Sequence, residues 1–138
     1  MDISLKISTY IQSILSESQE ILDIVGSDTH KIFPLLQPDN LQFPFIVHSR
    51  TGINTTYTKD LEIGQFGWYN TVTYTVSCVS DDYDQCINLA CAVRHSLEGY
   101  RWRTQDIYIH PIQFLSAAEY TTDNDAFVEE LQFQIIVE

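Results

Sequence analysis

Residues 68–99 read "WYNTVTYTVSCVSDDYDQCINLACAVRHSLEG", and this stretch decides the fold class. Trp68, Val72, Tyr74, Val76 and Cys78 share one parity, while Thr71, Thr73, Thr75 and Ser77 share the other. A two-residue period built from β-branched and aromatic side chains specifies a strand over 68–79. The period then changes. Cys86, Ala90, Val93 and Leu97, flanked by Ile87 and Cys91, recur at helical steps and predict a helix over 82–98. Ser80 or Asp81 can cap its start, and the acids at 81–84 suit the positive end of its dipole. Gly99 is a natural stop.

Upstream, Ile3, Ile7, Ile11, Ile14, Ile21, Leu22 and Val25 recur at three- and four-residue steps, with Lys6, Ser13, Glu17 and Glu20 on the opposite face. This predicts one amphipathic helix over 3–25, roughly 33 Å long at 1.5 Å per residue, ending at Gly26. The stretch "KIFPLLQPDNLQFPFIVHSR" at 31–50 follows, with short strands expected near 31–34 and 44–50. Its prolines, Pro34, Pro38 and Pro44, each remove a backbone donor, so they suit strand ends and a stiff connector. Residues 51–67, "TGINTTYTKDLEIGQFG", read as a long loop or an extended hairpin arm. Segments of that length in compact domains usually carry function.

The C-terminal part is strand-like. Ile107 and Ile109 alternate up to His110-Pro111, where a bulge or an edge position is expected, and Ile112 and Phe114 resume the pattern. Residues 112–121 and 126–137 predict a hairpin around "TTDND". Phe127, Leu131, Phe133, Ile135 and Val137 share a face with Glu129, which must lie near the strand end or find a partner. The order helix, strands, helix, strands indicates an α+β fold. The expectation is a mainly antiparallel sheet packed on two helices, in a single domain over 1–138 with a long arm or loop at 51–67.

The composition is that of a globular chain, with 44% hydrophobic and 19% charged residues. The formal net charge is −12, and the seven basic residues are scattered, which argues against binding the phosphate backbone. The first residues show no basic segment followed by an apolar run, and no run could span a bilayer, so a cytosolic setting without membrane contact is expected. Three cysteines, Cys78, Cys86 and Cys91, are expected as free thiols. For the same reason the sequon Asn54-Thr55-Thr56 carries no weight.

Few residues suggest chemistry. "DDYD" at 81–84 reads better as helix-start acids than as a metal cluster. Cys91 and His95 lie one helical turn apart, but no second pair has zinc-motif spacing. Cys91 is expected in the core and His95 at the outer edge of the helix C-terminal end. His30, His48 and His110 are isolated, and "DNDAFVEE" at 123–130 lacks the pattern of a calcium loop. The nucleophile, phosphate-loop and dinucleotide motifs are missing. The expectation is a structural or binding protein, not an enzyme, with no cofactor.

Four pieces in order resemble a known family. They are "ILDIVGSDTHKIFP" (21–34), "PLLQPDNLQFPFIVHS" (34–49), the strand–turn–helix segment from Tyr69 to Gly99, and "AAEYTTDNDAFVEELQFQIIVE" (117–138). Together they resemble the tail completion, or tail terminator, proteins of long-tailed bacteriophages and related prophage elements. That resemblance implies an α+β subunit of a homo-oligomeric ring, commonly a hexamer. Such a ring would cap the head-proximal end of the tail tube, stop its growth, contact a head-completion protein and let DNA pass through its lumen. The implied location is the virion tail, after assembly in the host cytoplasm. The residues are compatible with it. A ring needs two complementary patches, and Tyr57, Leu61, Ile63 and Phe66 are the subunit-interface candidates on the 51–67 segment. Trp68 is expected to fold onto its own sheet. Acidic walls would repel phosphates in a lumen. A head-closure or connector protein, and a small cytosolic ligand-binding domain or enzyme using Cys91 and His95, are the alternatives.

Overall fold

The computed structural model describes residues 5–26, 31–35, 42–59, 66–103, 108–122 and 125–138; for 56–59 and 66–68 it describes the backbone. The period-two segment forms β3 (Phe66–Ser80), which pairs antiparallel with β2 (Phe45–Lys59) along the full length of both. On its other side β3 pairs antiparallel with β7 (Phe127–Val137), from Asn70 to Ser80. The sheet is completed by β1 (Ile32–Pro34), β4 (Trp102–Arg103), β5 (Tyr108–Ile109) and β6 (Gln113–Thr121). The strand order is β1-β2-β3-β7-β5-β4, with β6 also on β7. All pairings are antiparallel except β1 with β2. The expected α+β class and mainly antiparallel sheet are therefore present.

The helix count differs from expectation. The single helix expected over 3–25 is two, α1 (Ile7–Glu17) and α2 (Gln19–Val25), so with α3 (Tyr83–Leu97) there are three among the described residues. Ser18 causes the break. Its backbone is extended, and its hydroxyl accepts from the Ile21 N–H at 3.5 Å, starting a new helix. The apolar spacing continues across the break, so periodicity alone cannot reveal it. Ile7, Ile11, Leu15, Ile21 and Val25 are buried, and Gly26 ends α2 at φ 96°, a left-handed value that favours glycine. Ile3 lies outside the described residues.

Helix α3 keeps its expected extent, but its cap is Asp82 rather than Ser80 or Asp81. The Asp82 carboxylate accepts from the Asp84 N–H at 3.2 Å, while the Ser80 hydroxyl accepts from the Asp82 N–H at 3.1 Å and donates to Gln85 at 2.7 Å. The buried arc of α3 holds Cys86, Ala90, Val93 and Leu97 as expected, and also Leu89 and Ala92. Cys91 is exposed, contrary to the core position expected of it. At 100° per residue it projects opposite the centre of that arc, which turns towards the sheet and α2. On that side the Ser96 hydroxyl donates to Ser18 at 2.8 Å.

The helices cover one face of the sheet. Ile46, Val72, Tyr74, Val76, Cys78, Leu131, Phe133 and Ile135 form the main core with α1, α2 and α3. The opposite parity of the central strands carries Thr71, Thr73, Thr75 and Ser77 on β3 and Glu130, Gln132 and Gln134 on β7. At one end of that open face Phe45, Val79, Ala126 and Val128 make a second small cluster.

The proline positions follow the expected logic where they are described. Pro34 ends β1 at the sheet edge, and Pro44 stands just before β2, after a cis peptide from Phe43. Pro38 lies outside the described residues. Pro111 separates β5 from β6, two strands that follow the same edge of β7. Between them Ile112 leaves the sheet. Its N–H donates to the Tyr100 carbonyl at 2.9 Å, and its carbonyl accepts from the Gly99 N–H at 2.8 Å.

Candidate subunit interface

The 51–67 segment resolves into a hairpin over its described residues. Thr51 is the extra residue of a bulge between Arg50 and Gly52, after which β2 and β3 stay in register to Lys59 opposite Phe66. β7 ends opposite Asn70. Residues 56–59 and 66–69 therefore run beyond the last strand pair of β7, as a ribbon of two strands among the described residues. This ribbon is the arm.

The register places two of the interface candidates. Tyr57 lies opposite Trp68, and Phe66 opposite Lys59, so Tyr57 and Phe66 are diagonal neighbours on the ribbon. Leu61 and Ile63 fall outside the described residues. Trp68, expected on its own sheet, sits in the ribbon beyond β7.

A second surface was not legible in the sequence. On the open face, at the opposite end of the β2–β3 hairpin from the arm, a groove of about 470 Å³ is lined by Phe43, Phe45, Val47, Val79, Tyr120 and Val128. Beside it Leu35 is 71% exposed, and Tyr120 is 49% exposed, so the groove has an apolar rim. Its residues come from four distant segments, and only the pairing of β2, β3, β7 and β6 brings them together.

The α3 side of the same end is acidic. Glu119 and Glu129 are directly opposite each other on β6 and β7. There the Tyr83 hydroxyl donates to Glu119 at 2.9 Å, while on the open face the Tyr120 hydroxyl donates to Glu130 at 3.2 Å. Partial burial, then the neighbouring Glu119, raise the Glu129 carboxyl above the usual carboxylate range. Glu129 thus lies at the start of its strand, with its Oε2 buried and, among the described residues, without a hydrogen-bond partner.

The residues singled out for chemistry have structural surroundings. His48 is buried in a chain of hydrogen bonds. Its Nδ1 lies 2.6 Å from the Tyr74 hydroxyl, and its Nε2 lies 2.6 Å from the Gln12 Oε1. Gln12 in turn donates through its amide to the Ile32 carbonyl at 2.9 Å, which fixes its orientation. The His48 Nε2–H then donates to Gln12, and the Tyr74 O–H donates to Nδ1. Burial lowers the His48 pKa to about 4 and raises that of Tyr74 to about 12, so both are neutral near pH 7.

The thiols are no better placed for catalysis. Burial pushes the Cys78 thiol well up and the Cys86 thiol to about 11, where a thiolate nucleophile is scarce. The exposed Cys91 lies one turn from His95, whose Nδ1 meets the Glu20 carboxylate at 3.1 Å on the surface. His95 therefore sits at the outer edge expected of it. Among the described residues no His, Cys, Asp and Glu side chains converge in a group of three or more that could hold a metal ion. No helix among them is long and apolar enough to cross a membrane.

The arrangement defines a class: an α+β domain with helices on one sheet face, a two-stranded arm running beyond β7 and no assembled reaction centre among the described residues. Compared with solved structures, the fold is similar to a chain in a structure titled "Virion of native gene transfer agent (GTA) particle". The TM-score is 0.72, with 18% sequence identity over 93% of this chain and 91% of that chain. No protein-family model and no curated protein matches the sequence.

Proposed function

We propose that this chain is a structural protein of a phage-like virion and, within that class, the tail terminator. Copies form a ring, expected to be a hexamer, on the head-proximal end of the tail tube. The ring ends tube growth and offers its other side to a head-completion protein. The observation that carries this reading is the likeness to a chain of a gene transfer agent virion over nearly the whole length of both chains. The order of sequence pieces that resembles tail terminators supports the finer assignment.

The arm supports assembly. The ribbon runs beyond the end of β7 as two strands among the described residues, and short isolated hairpins are marginal in water. Packing against a neighbour gives it a partner. The central strands of the open face support a lumen through which DNA slides. They carry hydroxyls, amides and Glu130, and no lysine or arginine to hold a phosphate. The protein acts without catalysis, and its buried neutral histidine and protonated thiols fit that role.

The reading is tested by adding the purified chain to its tail tube protein during polymerisation. Tubes that stop growing, with a ring at one end in electron micrographs, support it. Unchanged growth and bare tube ends would remove it.

A further inference from the structure

The sheet leaves two long stretches of edge without a strand among the described residues. β1 covers β2 only over Ile46–His48, so the outer edge of β2 is open from Ser49 to Lys59. On the far side, β6 pairs with β7 and with no other described strand. The other margins are blunt: β1 has three residues and ends in a proline, and β4 has two. β6 is different. It has nine residues, no proline and no lysine, it exposes Leu115 and Tyr120, and past a bulge at Leu115 it runs in regular register from Ser116 to Thr121. A long edge of that kind is a template for strand addition, and proteins that do not use such edges blunt them.

Direction and charge choose the partner. β2 is antiparallel to β3, β3 to β7 and β7 to β6, so β6 runs opposite to β2. Across β7 and β3, β6 lies level with Phe45–Gly52 of β2, so a copy rotated about an axis tilted to the strands brings its open β2 edge, from Ser49 onward, beside β6 in antiparallel orientation. β2 carries Arg50 and Lys59 and no acid, while β6 carries Glu119 and no base, backed by Glu129 and Glu130 on β7. Two complementary edges on opposite sides of one subunit give a heterologous contact, the kind that closes into a ring by rotation.

We propose that the outer edge of β2 in one copy pairs with the outer edge of β6 in the next, so that the sheet continues from subunit to subunit. The proposal rests on the ring reading and names its contact. Main-chain hydrogen bonds hold the two edges together, and the opposite charges favour this pairing over β6 with β6.

Amide hydrogen exchange tests it on the full chain, as free subunit and as assembled ring, with native mass spectrometry of the same samples. Peptides covering 49–59 and 113–121 are expected to slow together by roughly tenfold or more on assembly, while the β3 core changes little. A ring in which 113–121 exchanges as in the free subunit overturns the edge pairing and leaves the ring reading standing. Protection of 113–121 alone, in a dimer, means that β6 pairs with β6 and also overturns it. If no oligomer forms at any concentration, alone or on tube ends, the ring reading falls and takes this contact with it. Ala117→Pro and Ala118→Pro give a second readout. Adjacent strand residues point their N–H groups to opposite edges, so one of the two removes only an outward donor. That variant is expected to fold as a monomer and require at least roughly 100-fold more protein to assemble, a shift typical of losing a hot spot. Assembly of both variants at the parent's concentration contradicts the proposal.

Discussion

The two faces of the central sheet are built on different principles. The helix-covered face is apolar, with Phe133, Leu131, Val76 and Tyr74 buried, and its one histidine is locked into a chain of hydrogen bonds. The open face carries threonines, glutamines and one apolar groove. β3 contributes to both through strict alternation. Val72, Tyr74, Val76 and Cys78 are buried under the helices, while on the other side Thr71, Thr73 and Ser77 are half-buried and Thr75 is buried. The contrast teaches that parity within single strands separates an apolar face packed under helices from a polar one, so substitutions on the two faces should differ in their effect on stability.

The largest expected effect breaks the covered face. Phe133→Ala should destabilise the monomer by about 3–5 kcal/mol, read as a shift in the urea midpoint. The counterpart Thr73→Ala on the open face should move it by less than about 0.5 kcal/mol. Similar shifts for the two would end the distinction.

Acid should act on the covered face next. The His48 pKa is lowered to about 4 in the fold from an ordinary 6.5. The unfolded chain binds this proton more readily, so the stabilisation is complete above pH 6.5 and is lost as pH falls through 4. The loss is on the order of 3 kcal/mol across that window, at 1.36 kcal/mol per unit. Urea titrations at pH 7 and pH 4 should show it, and His48→Gln should flatten this part of the pH dependence even if it lowers stability throughout.

Smaller effects lie at the margins. Asp82→Ala removes the α3 cap and should cost about 1 kcal/mol, with fraying of the first turn visible in amide exchange. Glu129→Gln should have the opposite sign. Its folded pKa is raised, so the carboxyl favours the fold at low pH, and that advantage is lost as pH rises through the folded pKa. Replacing it relieves like charges placed opposite each other and should gain roughly 0.2–1 kcal/mol at pH 7, with little gain at pH 4.

The sequence made the covered face readable because burial imposes a period. β3, α3 and the β6–β7 hairpin follow from alternation or helical spacing in single segments. Where local hydrogen bonds decide, periodicity is silent. Ser18 breaks a helix without breaking the apolar spacing, and Asp82 captures the cap from its neighbours. Cys91 was misplaced because the stripe through Cys86 and Leu97 has two flanks. Only the packing of α3 on α2 and the sheet selects the one with Leu89 and Ala92. Of the interface candidates, Tyr57 and Phe66 are apolar residues in a polar segment, a feature legible in the sequence, and the structure gives only their register on the β2–β3 ribbon. The groove and the open edges were not, because they arise from pairing between distant strands.

The central claim is that copies of this chain assemble into a ring that ends a tail tube. Cryo-electron microscopy of tubes polymerised with and without the protein tests it most directly. The account predicts a single ring of this chain on one end of each tube, in contact with the last tube subunits, and tubes of limited length. Tubes that lengthen equally in its presence, with the protein monomeric in solution and absent from both ends, would contradict it.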